Sequence, residues 1–128
     1  MAKEAELWKL IRKNFPKEAH VQRIETGGTG RGVPDVNYCQ EGKEIWIELK
    51  SIKGNKLTLS PFQMTWIHNR IRSGGNCAIV VRKDKTIKVF IPEGLEEIQE
   101  LTWNSDAQLN LDSPYDWPVL FNFLLSSF

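Results

Sequence analysis

Within the stretch 32–51, Asp35, Glu48 and Lys50 are residues of the types found in sites that hydrolyse phosphate esters. The residues around them are largely β-branched, aliphatic or aromatic, as in a buried β-strand. Two carboxylates that approach each other in a dry environment repel, so either one holds a proton or a divalent cation lies beside them. With no histidine or thiolate at hand, oxygen ligands favour a hard ion such as Mg²⁺ or Mn²⁺.

The spacing of these residues allows them to meet. A strand over 44–50 puts Glu48 and Lys50 on the same face, because side chains alternate along a strand. If a strand over 33–39 pairs with it antiparallel through a tight EGK turn, paired positions sum to 83 or 84, and Asp35 lies opposite or nearly opposite Glu48. An ammonium beside the metal could then orient or deprotonate a water, or neutralise charge on a phosphate. The alternative interpretation is that Asp35 ends a turn and Glu48 with Lys50 forms a surface pair on an edge strand.

The remaining pattern predicts an α/β protein with a central mixed sheet flanked by helices. After residue 91 the pattern predicts a short acidic helix over 94–103, a polar loop over 104–116 and an apolar last helix that either caps the core or meets a partner. Before residue 91, the pattern predicts a helix over 3–15, a strand over 19–25 and a glycine-rich loop over 26–32. The β-hairpin described above follows. A second helix starts at Ser60-Pro61 and stops at Gly74-Gly75, and strands over 77–83 and 86–91 come after it.

The composition favours one domain, residues 1–128, inside the cell. No apolar run is long enough to span a bilayer, and Cys39 and Cys77 each sit in an apolar stretch, as buried thiols do. The charge is divided along the chain. Residues 1–88 hold all 17 Lys and Arg and nine of the 16 acidic residues, while residues 89–128 hold the other seven acidic residues and no Lys or Arg. A basic body with an acidic tail suits an anionic partner, although two ordinarily solvated faces would look the same.

A further acid stands in the first predicted helix. Glu4 precedes Leu7 and Trp8 by one turn and lies in register with the apolar stripe that continues to Ile11 and Phe15. It could therefore reach a metal through a water molecule. The alternative is an acid that is favoured only by the dipole at the start of the helix.

Pro34-Asp35, followed after twelve residues by Glu48-Leu49-Lys50, resembles the signature of the PD-(D/E)xK nuclease superfamily. Within it, the chain is most similar to the VRR-NUC group and the archaeal-type Holliday junction resolvases. The resemblance covers about residues 4–91 and implies a restriction-endonuclease-like core, αβββαβ. Residues 92–128 match nothing in it and are expected to form a C-terminal helical extension.

The resemblance also implies roles for residues of this chain. Asp35 and Glu48 would bind the metal together with the carbonyl of Leu49, and Lys50 would assist catalysis. Glu4 would be the helical acid of the site. The segment LTLSPFQMTWI resembles a Leu-Thr-x-x-Gln pattern of the family, which places Gln63 near the site as well.

Together these features predict an Mg²⁺-dependent DNA endonuclease, with Mn²⁺ as a substitute, that selects a DNA structure such as a junction, flap or nick. A homodimer is plausible for a cut in two strands, and no membrane is involved. The alternative is a module of the same fold that binds DNA without cutting it. The residues expected to contact DNA are Arg31, Lys53, Lys56, Arg70 and Arg72, with Lys83 as a further candidate.

Overall fold

The structure is a computed structural model that describes residues 2–25 and 31–128. The predicted glycine-rich loop over 26–32 therefore lies mostly outside the described residues. The elements are α1 (Ala2–Arg12), β1 (His20–Arg23), β2 (Val36–Gln40), β3 (Lys43–Ile52), α2 (Pro61–Arg72), β4 (Cys77–Lys83), β5 (Thr86–Phe90), α3 (Leu95–Glu100), β6 (Leu109–Asp112) and α4 (Trp117–Ser126).

The strands form one mixed sheet in the sequential order β1-β2-β3-β4-β5-β6. Among the strands that the structure describes, only β3 and β4 are parallel neighbours, and α2 lies between them in the chain. Parallel neighbours need a crossover connection, usually a helix, and α2 serves as one. This arrangement confirms the predicted α/β architecture with a central mixed sheet and flanking helices.

The hairpin of β2 and β3 has the register that the sequence predicts. Val36 pairs with Ile47, so paired positions sum to 83, and Asp35 stands one step beyond this pair, level with Glu48. Glu41 and Gly42 form the turn and both have positive φ, 53° and 77°. Two successive residues with positive φ are typical of the two-residue turns whose twist matches that of a hairpin.

Two apolar layers cover the two faces of the sheet. On one face, α1 and α4 pack against the odd-numbered side chains of β3, among them Ile45 and Ile47. On the other face, α2 and the short α3 cover Ile79 and Val81 of β4, and Trp46 of β3 packs against this second layer. The alternation predicted for β3 is therefore correct: Glu48 belongs to the face of α2.

The predicted polar loop over 104–116 is wrong in part, because β6 lies within it. Leu109 and Leu111 alternate with Asn110 and Asp112, and the strand pairs antiparallel with β5 at the edge of the sheet. Such a short, half-polar edge strand has a weak sequence signal, since only one of its faces is covered. The C-terminal extension is thus a helix, a strand and a helix, where the sequence predicts two helices joined by a loop.

The ends of the helices also differ from the prediction. α1 ends at Arg12 instead of continuing to Phe15, and the side chain of Asn14 donates to the carbonyl of Leu10, in competition with the helical backbone pattern. Phe15 nevertheless packs on the core through Tyr38 and Phe121. Over the described residues, no helix has the length and apolar character needed to cross a bilayer.

Candidate active site

The candidate site lies where β3 runs on past the end of β2. The pairing of β2 with β3 stops at Ile47, so the following part of β3 exposes its backbone on that side. Two carboxylates take up the free N–H groups: that of Leu49 donates to Asp35 Oδ2 at 2.8 Å, and that of Ser51 donates to Glu4 Oε2 at 3.0 Å. The structure thus brings the acid of α1 and the acid before β2 to one edge of β3.

The carbonyl of Leu49 points to the same edge. In a strand, the N–H and C=O groups of one residue face the same neighbouring strand. The N–H of Leu49 faces Asp35, and the next N–H on this side faces Glu4, so the carbonyl between them opens toward both acids. An uncharged oxygen donor therefore lies beside the carboxylates that the sequence predicts to bind a metal.

Glu48 is the most deeply buried acid of the site, with 2% of its surface exposed. Its Oε2 atom accepts from Gln63 Nε2 at 3.0 Å and lies 3.8 Å from the ammonium of Lys50. Its Oε1 atom is buried and has no hydrogen-bond partner among the described residues. Burial, and then the negative charge of Asp35, raises the pKa of Glu48 to about 8, while the charge of Lys50 opposes this shift.

Gln63 connects the start of α2 to the site. Ser60 caps the helix by accepting from the backbone N–H of Gln63 at 3.1 Å, and Gln63 Oε1 accepts from the N–H of Ser60 at 2.8 Å, which completes a capping box. The same Oε1 atom accepts from Lys50 at 3.3 Å. One amide group therefore orients Lys50 with its oxygen and Glu48 with its nitrogen.

Sequence reasoning missed Arg23, the last residue of β1. Its guanidinium lies 3.6 Å from Asp35 Oδ1 and 5.4 Å from the ring centroid of Trp8, so the cation touches the site from the side of α1. One signal in the sequence could have revealed it: Arg23 falls on the same face of its strand as Val21, where a core residue is expected. A basic residue in such a position needs a buried partner.

The donor set fits a small hard cation. The unpaired Oε1 of Glu48, the carboxylate of Asp35 and the carbonyl of Leu49 are all oxygen donors at one edge of the sheet. Among the described residues, no group of three or more His, Cys, Asp or Glu side chains converges as a complete cage. A site with one or two carboxylates, completed by water, is the form that Mg²⁺ usually takes in proteins.

The basic residues predicted to contact DNA do not form one cluster. The guanidinium of Arg31 lies over the ring of Phe62, and that of Arg70 over Trp66. Lys53 instead lines a polar cleft of about 130 Å³ at the C-terminal ends of β3 and β4, together with Arg82 and with Ser51, whose N–H donates to Glu4. Arg72 and Lys56 are exposed at the end of α2 and in the turn after β3, respectively.

The side chain of Lys83 makes contacts within the protein that stabilise the fold. Its ammonium donates to Asn55 Oδ1 at 3.1 Å and lies 5.8 Å from the ring centroid of Trp103. These contacts tie the turn after β3 to the segment that follows α3. Lys83 is therefore a weaker candidate for DNA contact than Lys53.

Comparison with known proteins bears on the identity of this site. The family model described as archaeal Holliday junction resolvase (Hjc) matches residues 1–113. The chain belongs to the Hjc family. Membership confirms the predicted relation to the PD-(D/E)xK nucleases and to the archaeal-type resolvases, while the resemblance to the VRR-NUC group stays a prediction. The Hjc match also reaches beyond the predicted limit at residue 91 and includes β6.

A solved structure agrees with the Hjc fold. The structure of Archaeoglobus fulgidus Hjc, a Holliday junction resolvase from an archaeal hyperthermophile, is similar to this chain with a TM-score of 0.54 and 18% sequence identity. The similarity covers 93% of this chain and 90% of the other. At this identity the likeness shows the fold alone. A search of curated proteins found no match.

Proposed function

We propose that this chain is an Mg²⁺-dependent DNA endonuclease that hydrolyses phosphodiester bonds at a branched DNA structure, such as a junction, flap or nick. The observation that carries the proposal is the buried, unpaired Oε1 of Glu48 beside Asp35, with Lys50 on the same face of β3. Burial and the neighbouring Asp35 both oppose ionisation of Glu48, and a divalent cation between the two carboxylates would remove this cost. Membership of the Hjc family supports DNA as the substrate.

The residues that would hold the metal are Asp35, Glu48 and the carbonyl of Leu49, with Glu4 acting through a water molecule. A divalent cation bound there supplies Lewis acidity toward a phosphate oxygen and lowers the pKa of a bound water. Mn²⁺, which accepts the same oxygen ligands, is expected to substitute for Mg²⁺.

Lys50 acts on the phosphate from the same face as Glu48. Its ammonium is largely buried and is held by Gln63 at 3.3 Å, so it presents its remaining donors in a fixed direction. An ammonium in that position can donate to a phosphate oxygen and stabilise the charge that develops on it, or orient the attacking water. Its positive charge also offsets the two carboxylates when DNA approaches.

A homodimer fits this function. A junction has two symmetry-related strands to cut, and a twofold pair of identical subunits presents two identical sites. We therefore propose that two copies act together on branched DNA.

The test is cleavage of a panel of labelled DNAs of equal length: a four-way junction, a flap, a nicked duplex, a linear duplex and a single strand. We expect cleavage of a branched substrate with Mg²⁺ or Mn²⁺ and none in excess EDTA. Lys50→Ala should lower the cleavage rate at least about 100-fold, because it removes a charged donor aimed at the reacting phosphate.

The matched control is Lys85→Ala, which removes an exposed lysine in the turn between β4 and β5. This variant should cut as the unaltered protein does. If junction DNA binds but is not cut with either metal, the chain is the non-cleaving DNA-binding module instead. Full activity of Lys50→Ala would contradict the assignment of Lys50.

Gln63→Glu distinguishes the role of Gln63 in capping α2 from its role in the candidate site. A glutamate at this position can still complete the capping box, so α2 should remain folded. In the unaltered protein, Gln63 Nε2 donates to Glu48 Oε2 at 3.0 Å. The variant replaces this donor by a negatively charged acceptor. We expect cleavage to fall about 10- to 100-fold, as with other residues that orient metal ligands, with the Mn²⁺ affinity measured by calorimetry changed and the helical signal in circular dichroism retained.

Gln108→Glu is the control for this variant. Gln108 also accepts a backbone N–H through Oε1, that of Ile91 at 2.9 Å, but it lies next to β6. It should leave cleavage and Mn²⁺ affinity unaltered. Equal activity of Gln63→Glu and Gln108→Glu would show that Gln63 only caps the helix.

A further inference from the structure

The outer surface of α2 is aromatic and basic. Phe62 exposes 54% of its surface, and its ring lies 5.3 Å from the guanidinium carbon of Arg31. A shallow open groove of about 370 Å³ runs from here along the helix, and a second groove of about 310 Å³ adjoins it at Trp66 and Asn69. We call this surface, formed by Arg31, Phe62, Trp66, Asn69 and Arg70, the α2 face.

Charge complementarity indicates what the α2 face binds. The helix PFQMTWIHNRIR contains no acid and ends with Arg70 and Arg72. Arg70 stacks at 4.6 Å on Trp66, so positive charge and aromatic rings alternate along the groove. This combination is typical of surfaces that bind single-stranded nucleic acid, where bases stack on the rings and phosphates follow the cations.

The α2 face begins near the candidate active site, because Arg31, whose guanidinium lies over Phe62, stands four residues before Asp35 in the chain. Phe62 precedes Gln63, whose amide contacts both Glu48 and Lys50. A strand whose phosphate is held at Lys50 would therefore carry its neighbouring nucleotides onto this surface. A base inside a duplex cannot offer its face to a ring, whereas an unpaired base next to a branch point can.

From these contacts we infer that the α2 face binds unpaired nucleotides beside the cleaved bond, with Phe62 as the stacking ring. The inference rests on the proposed function and names the feature of the branched substrate that is selected. A second copy of the chain is a less favourable partner for the α2 face. A twofold contact between two α2 helices would bring their arginines together, and neither helix has an acid to offset the repulsion.

The test measures binding of the full chain in EDTA, where no cleavage occurs. The probes are a linear duplex and a forked duplex of equal length that carries 2-aminopurine in its unpaired arm. We expect the fork to bind more tightly, with quenching of 2-aminopurine fluorescence as the base stacks. Phe62→Ala should weaken fork binding about 5- to 100-fold and remove the quenching, with duplex binding unchanged. Phe62→Trp should retain both.

Val119→Ala is the matched control, since Val119 is the other large hydrophobic side chain of the described residues that is exposed, at 41%, and it lies on α4. It should change neither probe. Equal binding of both probes, or an equal loss on both in Phe62→Ala, would overturn the inference. A shift from dimer to monomer in Phe62→Ala, seen by sedimentation, would overturn it in favour of a second copy.

The two proposals can fail separately. Cleavage by the unaltered protein without stacking at Phe62 would refute only the inference about the α2 face. Stacking of the fork without any cleavage of the DNA panel would refute only the proposed nuclease activity.

Discussion

Glu48→Gln is expected to abolish DNA cleavage and at the same time to stabilise the metal-free protein. Glutamine has nearly the same shape and can still accept from Gln63, but its amide cannot replace a carboxylate oxygen as a ligand for Mg²⁺. We expect the cleavage rate to fall at least about 1,000-fold. Calorimetry should detect little or no Mn²⁺ uptake.

The gain in stability follows from the buried charge. The pKa of Glu48 is raised from 4.5 to about 8 on folding, so ionisation of this group opposes the folded state. The penalty is absent below pH 4.5, grows between pH 4.5 and 8, and is complete above pH 8. The variant has no such penalty and should unfold with a free energy about 1–3 kcal/mol higher at pH 9 in EDTA, with a smaller difference at pH 5.

Glu44→Gln is the control, since Glu44 lies on the same strand with an exposed side chain. It should leave the cleavage rate and the pH dependence of unfolding unchanged. Normal DNA cleavage by Glu48→Gln would mean that Glu48 does not hold a metal. A loss of stability of this variant at pH 9 would mean that the buried charge of Glu48 does not oppose folding.

Ending the chain at residue 113 is expected to prevent stable folding, although this point is where the Hjc match ends. The deletion removes α4, which buries Leu120, Phe121, Leu124 and Leu125 against the sheet. Burial of four such side chains contributes about 6–12 kcal/mol before the cost of ordering the helix. This is comparable to the whole stability of a small domain.

The measurement is thermal unfolding followed by circular dichroism, together with binding of a dye that reports exposed apolar surface. The truncated chain should show no cooperative transition and should bind the dye. A milder variant, Phe121→Ala, should lower the free energy of unfolding by about 3–5 kcal/mol. Asn122→Ala, on the exposed side of the same helix, should have little effect. A cooperative transition in the truncated chain would mean that α4 is not part of the core.

The predictions that succeeded are those that depend on local pattern. The start of α2 at Pro61 was predicted because Ser60 and Pro61 are strong signals for the first turn of a helix, and the structure shows the full capping box. The β2–β3 hairpin was predicted because a short turn determines which residues pair. Through that register, the sequence alone placed Asp35 level with Glu48.

The features that were missed depend on contacts between distant segments. β6 has only four residues, and its pairing with β5 stabilises it more than its own propensity does. Arg23 reaches Asp35 only because β1 packs beside β2. The local pattern gives only a weak signal for each of these contacts.

The sequence by itself determined the order of the elements up to β5, the hairpin register and the face of β3 that carries Glu48 and Lys50, because these follow from alternation and turn length over a few residues. The tertiary structure decided which polar atoms are satisfied. Whether Glu48 keeps a buried oxygen without a partner, and whether Glu4 meets the backbone of Ser51, depends on how α1, α2 and β3 pack. Burial and electrostatic coupling are properties of the packed chain, so they appear only when the elements are assembled.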